Sequence, residues 1–355
     1  MSRTPRTPRT RAALLAAALA ALAHAPARAA AQGAAPNATY HVARRVRLGG
    51  EGGWDYLAVD TAAHRLYVTR GTHVMVVDTR TDSVVGDIAN TPGVHGVALA
   101  PALGRGWTSN GRDSSATAFD LATLAPVARV AVTGRNPDAI TYDSASGRVF
   151  AFNGASGTAT AFDAATGEVR GTVPLGGKPE FAVTDGRGAL WVNVEDKGEL
   201  VALDTRTLAV RAHWPMAGCE EPSGLAIDRA HRRLFAVCGN KTMAVVDADR
   251  GRVVARVPIG DGPDAAAFDP ARQLAFSSNG EGTLTVVHED APDRYRVVQT
   301  LATQRGARTM ALDPSTGRVY LVTAEFGPPP APTPERPNPR PAAVPGSFTL
   351  LVVEP

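Results

Sequence analysis

The sequence predicts an all-β fold, a seven-bladed β-propeller of four-stranded antiparallel blades. Three observations carry this: a phrase that recurs seven times, four short apolar runs in each copy, and chain ends that complete one another. The copies begin at Asp55 ("DYLAVD"), His95 ("HGVALA"), Asp138 ("DAITYD"), Glu180 ("EFAVTD"), Ser223 ("SGLAID"), Asp264 ("DAAAFD") and Arg308 ("RTMALD"). They are spaced 40, 43, 42, 43, 41 and 44 residues apart. That period belongs to propeller blades and not to helical repeats.

Each first run leads to a second ("RLYVT", "RVFAF", "RVYLV"), then a third that mostly ends in Asp ("HVMVVD", "TATAFD", "ELVALD"). A turn such as "TRTD" or "AATG" follows, and then a fourth run such as "SVVGDI". Short runs rich in β-branched and aromatic residues between turn residues are strands. Gly, Pro and β-branched residues interrupt every stretch long enough for a helix. At the ends, "FTLLVVEP" is a third run with no fourth, and "YHVARRVRLGG" (40–50) is a fourth run with no blade before it. Pairing the two would close the ring and remove an exposed edge.

The start of the chain reads as a leader. Arg3, Arg6, Arg9 and Arg11 precede the apolar "AALLAAALAALAHA", which is too short to span a bilayer, and "PARAAAQ" offers small residues at A-x-A spacing. This is the pattern of a secretory signal peptide over residues 1–31, cleaved after Ala29 or Ala31. A short flexible N-terminus (32–39) and one propeller (40–355) follow. The chain has 37 basic and 34 acidic residues, and residues 1–31 hold five Arg and no acid, which leaves 32 against 34. The remainder therefore lacks the basic footprint that nucleic-acid binding requires. No other segment is long and apolar enough for a membrane-spanning helix.

One insertion breaks the rhythm: "PPPAPTPERPNPRPAAVP" (328–345) lies between the second and third runs of the seventh blade. So many prolines forbid ladder pairing and favour an extended loop. It is either a passive surface loop or a partial lid over one mouth of the channel.

The phrases "RLYVTRGTHVMVVDTRTDSVVGDI" and "RVYLVTAE" resemble the repeat of the YVTN-family β-propellers, the exported YncE-like proteins, over residues 40–355. The tetrad itself is degenerate here, reading "YVTR", "WTSN", "FAFN" and "WVNV" in the first four blades. The resemblance implies the fold and export. It does not single out an activity, because related propellers are variously lactonases, redox-enzyme subunits, surface-layer proteins and binding proteins. No catalytic set carries over to these positions.

Function must therefore come from the site. Inner strands all start at one face of the disc, so the seven anchors are expected to ring one channel mouth. Asp55, His95, Asp138, Glu180, Asp264 and Arg308 are the ligand-binding candidates among them. Nearby loops add Glu195, Glu221 and Asn240, with Asn110, Asn153 and Asn279 as further polar groups. Convergent ionisable groups around a concavity favour a site for a small ligand or a protein partner. The rival is a lactonase or hydrolase in which His95 serves as base; a structural or redox-partner module is a third reading. No cofactor is called for, although the mouth oxygens could take Ca²⁺ if they converged across blades. The histidines show no H-x-x-x-H spacing, so no local zinc motif is present. There is also no C-x-x-C-H haem motif, G-x-S-x-G elbow or phosphate loop. Cys219 and Cys238 fall at hairpin ends that meet at the mouth, so they can pair in an oxidising compartment; two free thiols are the alternative. Oligomeric state is not encoded in any of these features.

Overall fold

The computed structural model describes residues 39–333, 337 and 339–355. The leader over 1–31 and the start over 32–38 lie outside them. The described residues form seven sheets of four antiparallel strands and no α-helix. In blades one to six the strands lie in chain order from innermost to outermost. The innermost strands are Leu57–Asp60, Val94–Ala100, Pro137–Asp143, Pro179–Thr184, Pro222–Asp228, Pro263–Asp269 and Met310–Asp313.

Burial explains the run patterns. The middle strands are sandwiched between neighbouring blades, so both faces are covered and the sequence reads as continuous apolar runs. Arg148–Asn153 and Glu199–Asp204 are buried along almost their whole length. An outermost strand keeps one face in water, and Val210–Pro215 alternates half-buried and exposed residues accordingly. The Asp that ends the third run has a local reason. Asp120, Asp163, Asp204 and Asp247 each accept the backbone N–H groups two and three residues on, which folds the turn into the outermost strand.

All seven blades carry a bulge on the outermost strand, where Ala43, Val85, Val127, Arg170, Arg211, Val254 and Val298 are skipped by the register. An extra residue there increases local twist, which suits blades that must fan out from a narrow axis. Aromatic pairs seal the junctions between blades: Tyr67 with Phe119, Trp107 with Phe162 and Phe235 with Phe268, at ring separations of 5.7, 4.8 and 5.1 Å.

The ring closes as the chain ends predict. His41–Arg47 is the outermost strand of the seventh blade and pairs antiparallel with Thr349–Glu354. Cys219 and Cys238 form a disulfide with Cα atoms 5.3 Å apart.

Candidate functional site

Each anchor sits at or just before the start of an innermost strand, and for His95, Asp138, Ser223 and Arg308 the preceding blade holds the backbone carbonyl. Tyr56 N–H donates to the His95 carbonyl at 3.3 Å. Ser109 Oγ donates to the Asp138 carbonyl, Asn193 Nδ2 to that of Ser223 at 2.8 Å, and Ser278 Oγ to that of Arg308. These cross-blade bonds, three of them from a second strand to the next anchor, fix those anchors around the axis. Side chains are then free to converge.

The structure brings six of the predicted residues together. His95 Nδ1 lies 2.6 Å from Asp55 Oδ2 and 3.7 Å from Asp138 Oδ1. Asp264 accepts a weak bond from Ser223 Oγ at 3.4 Å and lies 3.6 Å from Arg308 Nη1. Glu180 pairs with Lys178 at 2.8 Å, and the same ammonium holds Glu195 at the rim. Below the acids, Tyr56 of blade one stacks on Phe181 of blade four at 4.4 Å. Those blades stand across the ring from each other, so the two rings meet near the axis and give the acids an aromatic floor.

The crowding has electrostatic consequences. Burial, followed by the charge of Asp138, pushes the Glu180 carboxyl up to about 7. Burial raises Asp264 to about 6, against the lowering effect of Arg308 and with support from Asp55 and Asp138. Burial likewise raises Asp138. Burial opposes a charged His95, but the hydrogen bond to Asp55 and the charges of Asp138, Asp55 and Glu180 outweigh it and raise its pKa. Desolvated acids within reach of one another favour the neutral form of some of their number. The cup is short of positive charge.

The remaining candidates fall elsewhere. Glu221 is exposed and, with Glu195 and Glu220, lines a separate cleft of about 470 Å³ beside Cys219. Asn240 is committed to backbone: its Nδ2 donates to the Gly218 carbonyl at 3.1 Å and its Oδ1 accepts from Glu220 N–H at 3.3 Å. Asn110, Asn153 and Asn279 are not mouth residues but fully buried. Each amide bonds two hydroxyls of the adjacent third strand: Ser115 and Thr117, Thr158 and Thr160, Thr283 and Thr285. The last residue of the second run is thus a blade-internal clamp.

Several functional neighbours escaped sequence reading. Lys178 precedes its anchor by two residues and reaches back to it. Gly111 abuts His95: a Cβ there would stand 2.7 Å from Nε2 and 2.6 Å from Asn136 Oδ1, so only glycine admits both. The Pro-rich insertion begins as a short two-stranded stem, with Gly327 N–H bonded to the Ala342 carbonyl at 2.9 Å and Val344 N–H to that of Glu325 at 2.8 Å. Phe326, just before the insertion, and Arg340 within it join Trp54, Arg305 and Arg308 around a cleft of about 420 Å³. An arginine-rich cleft with aromatic walls therefore adjoins the acidic cup, and Arg308 belongs to both.

No family model and no curated protein matches the chain. Among solved structures, it is similar in fold to a chain of Kuenenia stuttgartiensis hydrazine synthase, at 16% identity and a TM-score of 0.66, covering 76% of this chain and 92% of that one. At this identity the likeness concerns fold alone. Fold and geometry together define a seven-bladed β-propeller with an acidic cup at one mouth.

Proposed function

We propose that the protein is an exported binding propeller of the YVTN-repeat type, which takes a small ligand at this mouth. The ligand carries a cationic group for the acidic cup and an anionic end for the arginine cleft. One observation carries the reading: Asp55 and Asp138 converge on His95 with Glu180 and Asp264 desolvated beside them, so a cation entering the cup would favour their ionised forms. The Arg305–Arg308–Arg340 cleft beside it supplies the opposite charge at a fixed offset. The leader-like start and the Cys219–Cys238 bridge support export, because such bonds persist in oxidising compartments.

Calorimetry with three matched probes tests this: glycine betaine as zwitterion, putrescine as cation and succinate as anion. The zwitterion is expected to bind tightest. Asp138→Asn with Glu180→Gln should weaken it by about tenfold or more, roughly 1.4 kcal/mol or above. Binding of succinate alone, or of none of the three, overturns the reading.

The Asp55–His95 hydrogen bond favours a hydrolase as the second reading, since an acid that orients an imidazole is the arrangement of a general base. Turnover of a chromogenic ester or lactone that disappears in His95→Gln would bring it forward.

A further inference from the structure

On the opposite face, two departures from the repeat meet across the junction of blades five and six. Innermost strand Pro222–Asp228 runs about 20 Å from the mouth to Asp228, at about 3.3 Å per residue. Asp228 is a repeat residue: it accepts the backbone N–H three residues on, as Asp60, Asp143 and Asp269 do in their blades. At that third position blades one, three and six carry Ala63, Ser146 and Arg272, and blade five carries His231.

Glu289 is the second departure. Its N–H bonds the Gln273 carbonyl, the same turn bond made by Thr79, Leu121, Ala164, Thr205 and Ala248. The repeat fills this position with small or apolar residues, yet blade six places a carboxylate there that is 1% exposed. The fold does not need an acid at this point. Glu289 Oε2 is buried with no hydrogen-bond partner among the described residues, an arrangement that costs stability unless something binds there.

The two unusual residues face each other. His231 Nδ1 is 2.7 Å from Asp228 Oδ2 and 3.4 Å from Glu289 Oε1, without forming a well-aligned hydrogen bond to either. One atom from each of the three residues lies within 4.8 Å of the others. Tyr295 Oη donates to Glu289 Oε1 at 3.2 Å, which orients the carboxylate from behind. The nearby cation, Arg233, is held by Asp293 at 2.6 Å, with Asp247 3.9 Å away, so it does not neutralise the cluster.

We propose that Asp228, His231 and Glu289 form a binding site for a divalent transition metal of the zinc type, which ties blade five to blade six. One imidazole nitrogen and two carboxylates suit such an ion, whereas Ca²⁺ requires six to eight oxygens. His231 remains about one-third exposed, so an ion can reach the site from solvent.

The test is Zn²⁺ titration of the disulfide-bonded protein by calorimetry, with thermal melts in parallel. One ion should bind, raise the melting temperature and bind more weakly as pH falls, because the ligands must be deprotonated. Glu289→Ala restores the residue that blades three and five carry at this position, so it should fold; it and His231→Gln should each weaken Zn²⁺ at least about tenfold. His95→Gln, at the other mouth, should leave the titration unchanged. Absence of Zn²⁺ binding overturns the proposal, as does binding insensitive to Glu289→Ala and His231→Gln or abolished by His95→Gln.

Discussion

Glu180 shows what the mouth does to an ordinary carboxylate. Its pKa rises from 4.5 to about 7, so the folded protein holds this proton more tightly than the unfolded chain. For a group raised in this sense, the stability it contributes is complete below about pH 4.5 and is lost as pH climbs through about 7. Asp264, raised from 3.8 to about 6, and His95, also raised, act with the same sign. The melting temperature should therefore fall between pH 5 and pH 8. A shift of this size corresponds to roughly 3 kcal/mol at most. Glu180→Gln should flatten the slope and exceed the parent in stability at pH 8, because it also relieves Asp138. Melts of both proteins at the two pH values decide it, and parallel profiles would refute the electrostatic account. The anchors were legible in sequence because one register position recurs seven times. Lys178, Tyr56 and Gly111 were not, since their proximity to the acids depends on where strands from different blades meet. Asn110, Asn153 and Asn279 misled for the opposite reason: in sequence, a residue that ends a run beside a loop looks solvent-facing.

At the scale of the strand, that same asparagine joins the second and third strands of its blade. Asn153 is fully buried and donates to both Thr158, which is half-buried, and the buried Thr160, at 3.0 Å. Asn153→Ala leaves a small void and removes the donor from two hydroxyls, of which that of Thr160 is buried away from water. We expect a loss of about 2 kcal/mol, the cost of unsatisfied buried polar groups, read as a lower midpoint in urea with an unchanged slope. A change below about 0.5 kcal/mol would mean the clamp is dispensable. Strand existence was legible from alternating and continuous apolar runs, because exposure of one face or of none imposes those periods. The seven bulges were not. Skipping Val85 or Val127 leaves no compositional mark, as valine is an ordinary residue of any strand position.

Across the whole molecule, stability depends on a closed ring in which every blade carries its outermost strand. The seventh blade owes its outermost strand to the other end of the chain, which the unmatched fourth run at residues 40–50 already announced. Two anchors hold that strand in place. His41–Arg47 pairs along Thr349–Glu354, and Tyr40 plugs into the junction of blades six and seven. The Tyr40 ring packs edge-on against Phe276 at 5.2 Å. Its backbone exchanges two bonds with the Gln299 side chain, at 2.9 and 2.7 Å. Arg44 adds ion pairs to Asp82 at 2.5 Å and Glu354 at 3.0 Å, so one residue touches blades one and seven. Removing residues up to Arg47 would expose "TLLVVE", an apolar strand edge without proline or bulge, which is the kind of edge that templates association. The truncated protein is expected to melt at least about 10 °C lower and to elute as aggregates, while Tyr40→Ala alone should remain monodisperse with a loss of about 3 kcal/mol. Size-exclusion chromatography and thermal melts of the two variants separate edge protection from simple packing. A truncated protein that stays monodisperse and melts like the parent would show that the ring does not need this closure.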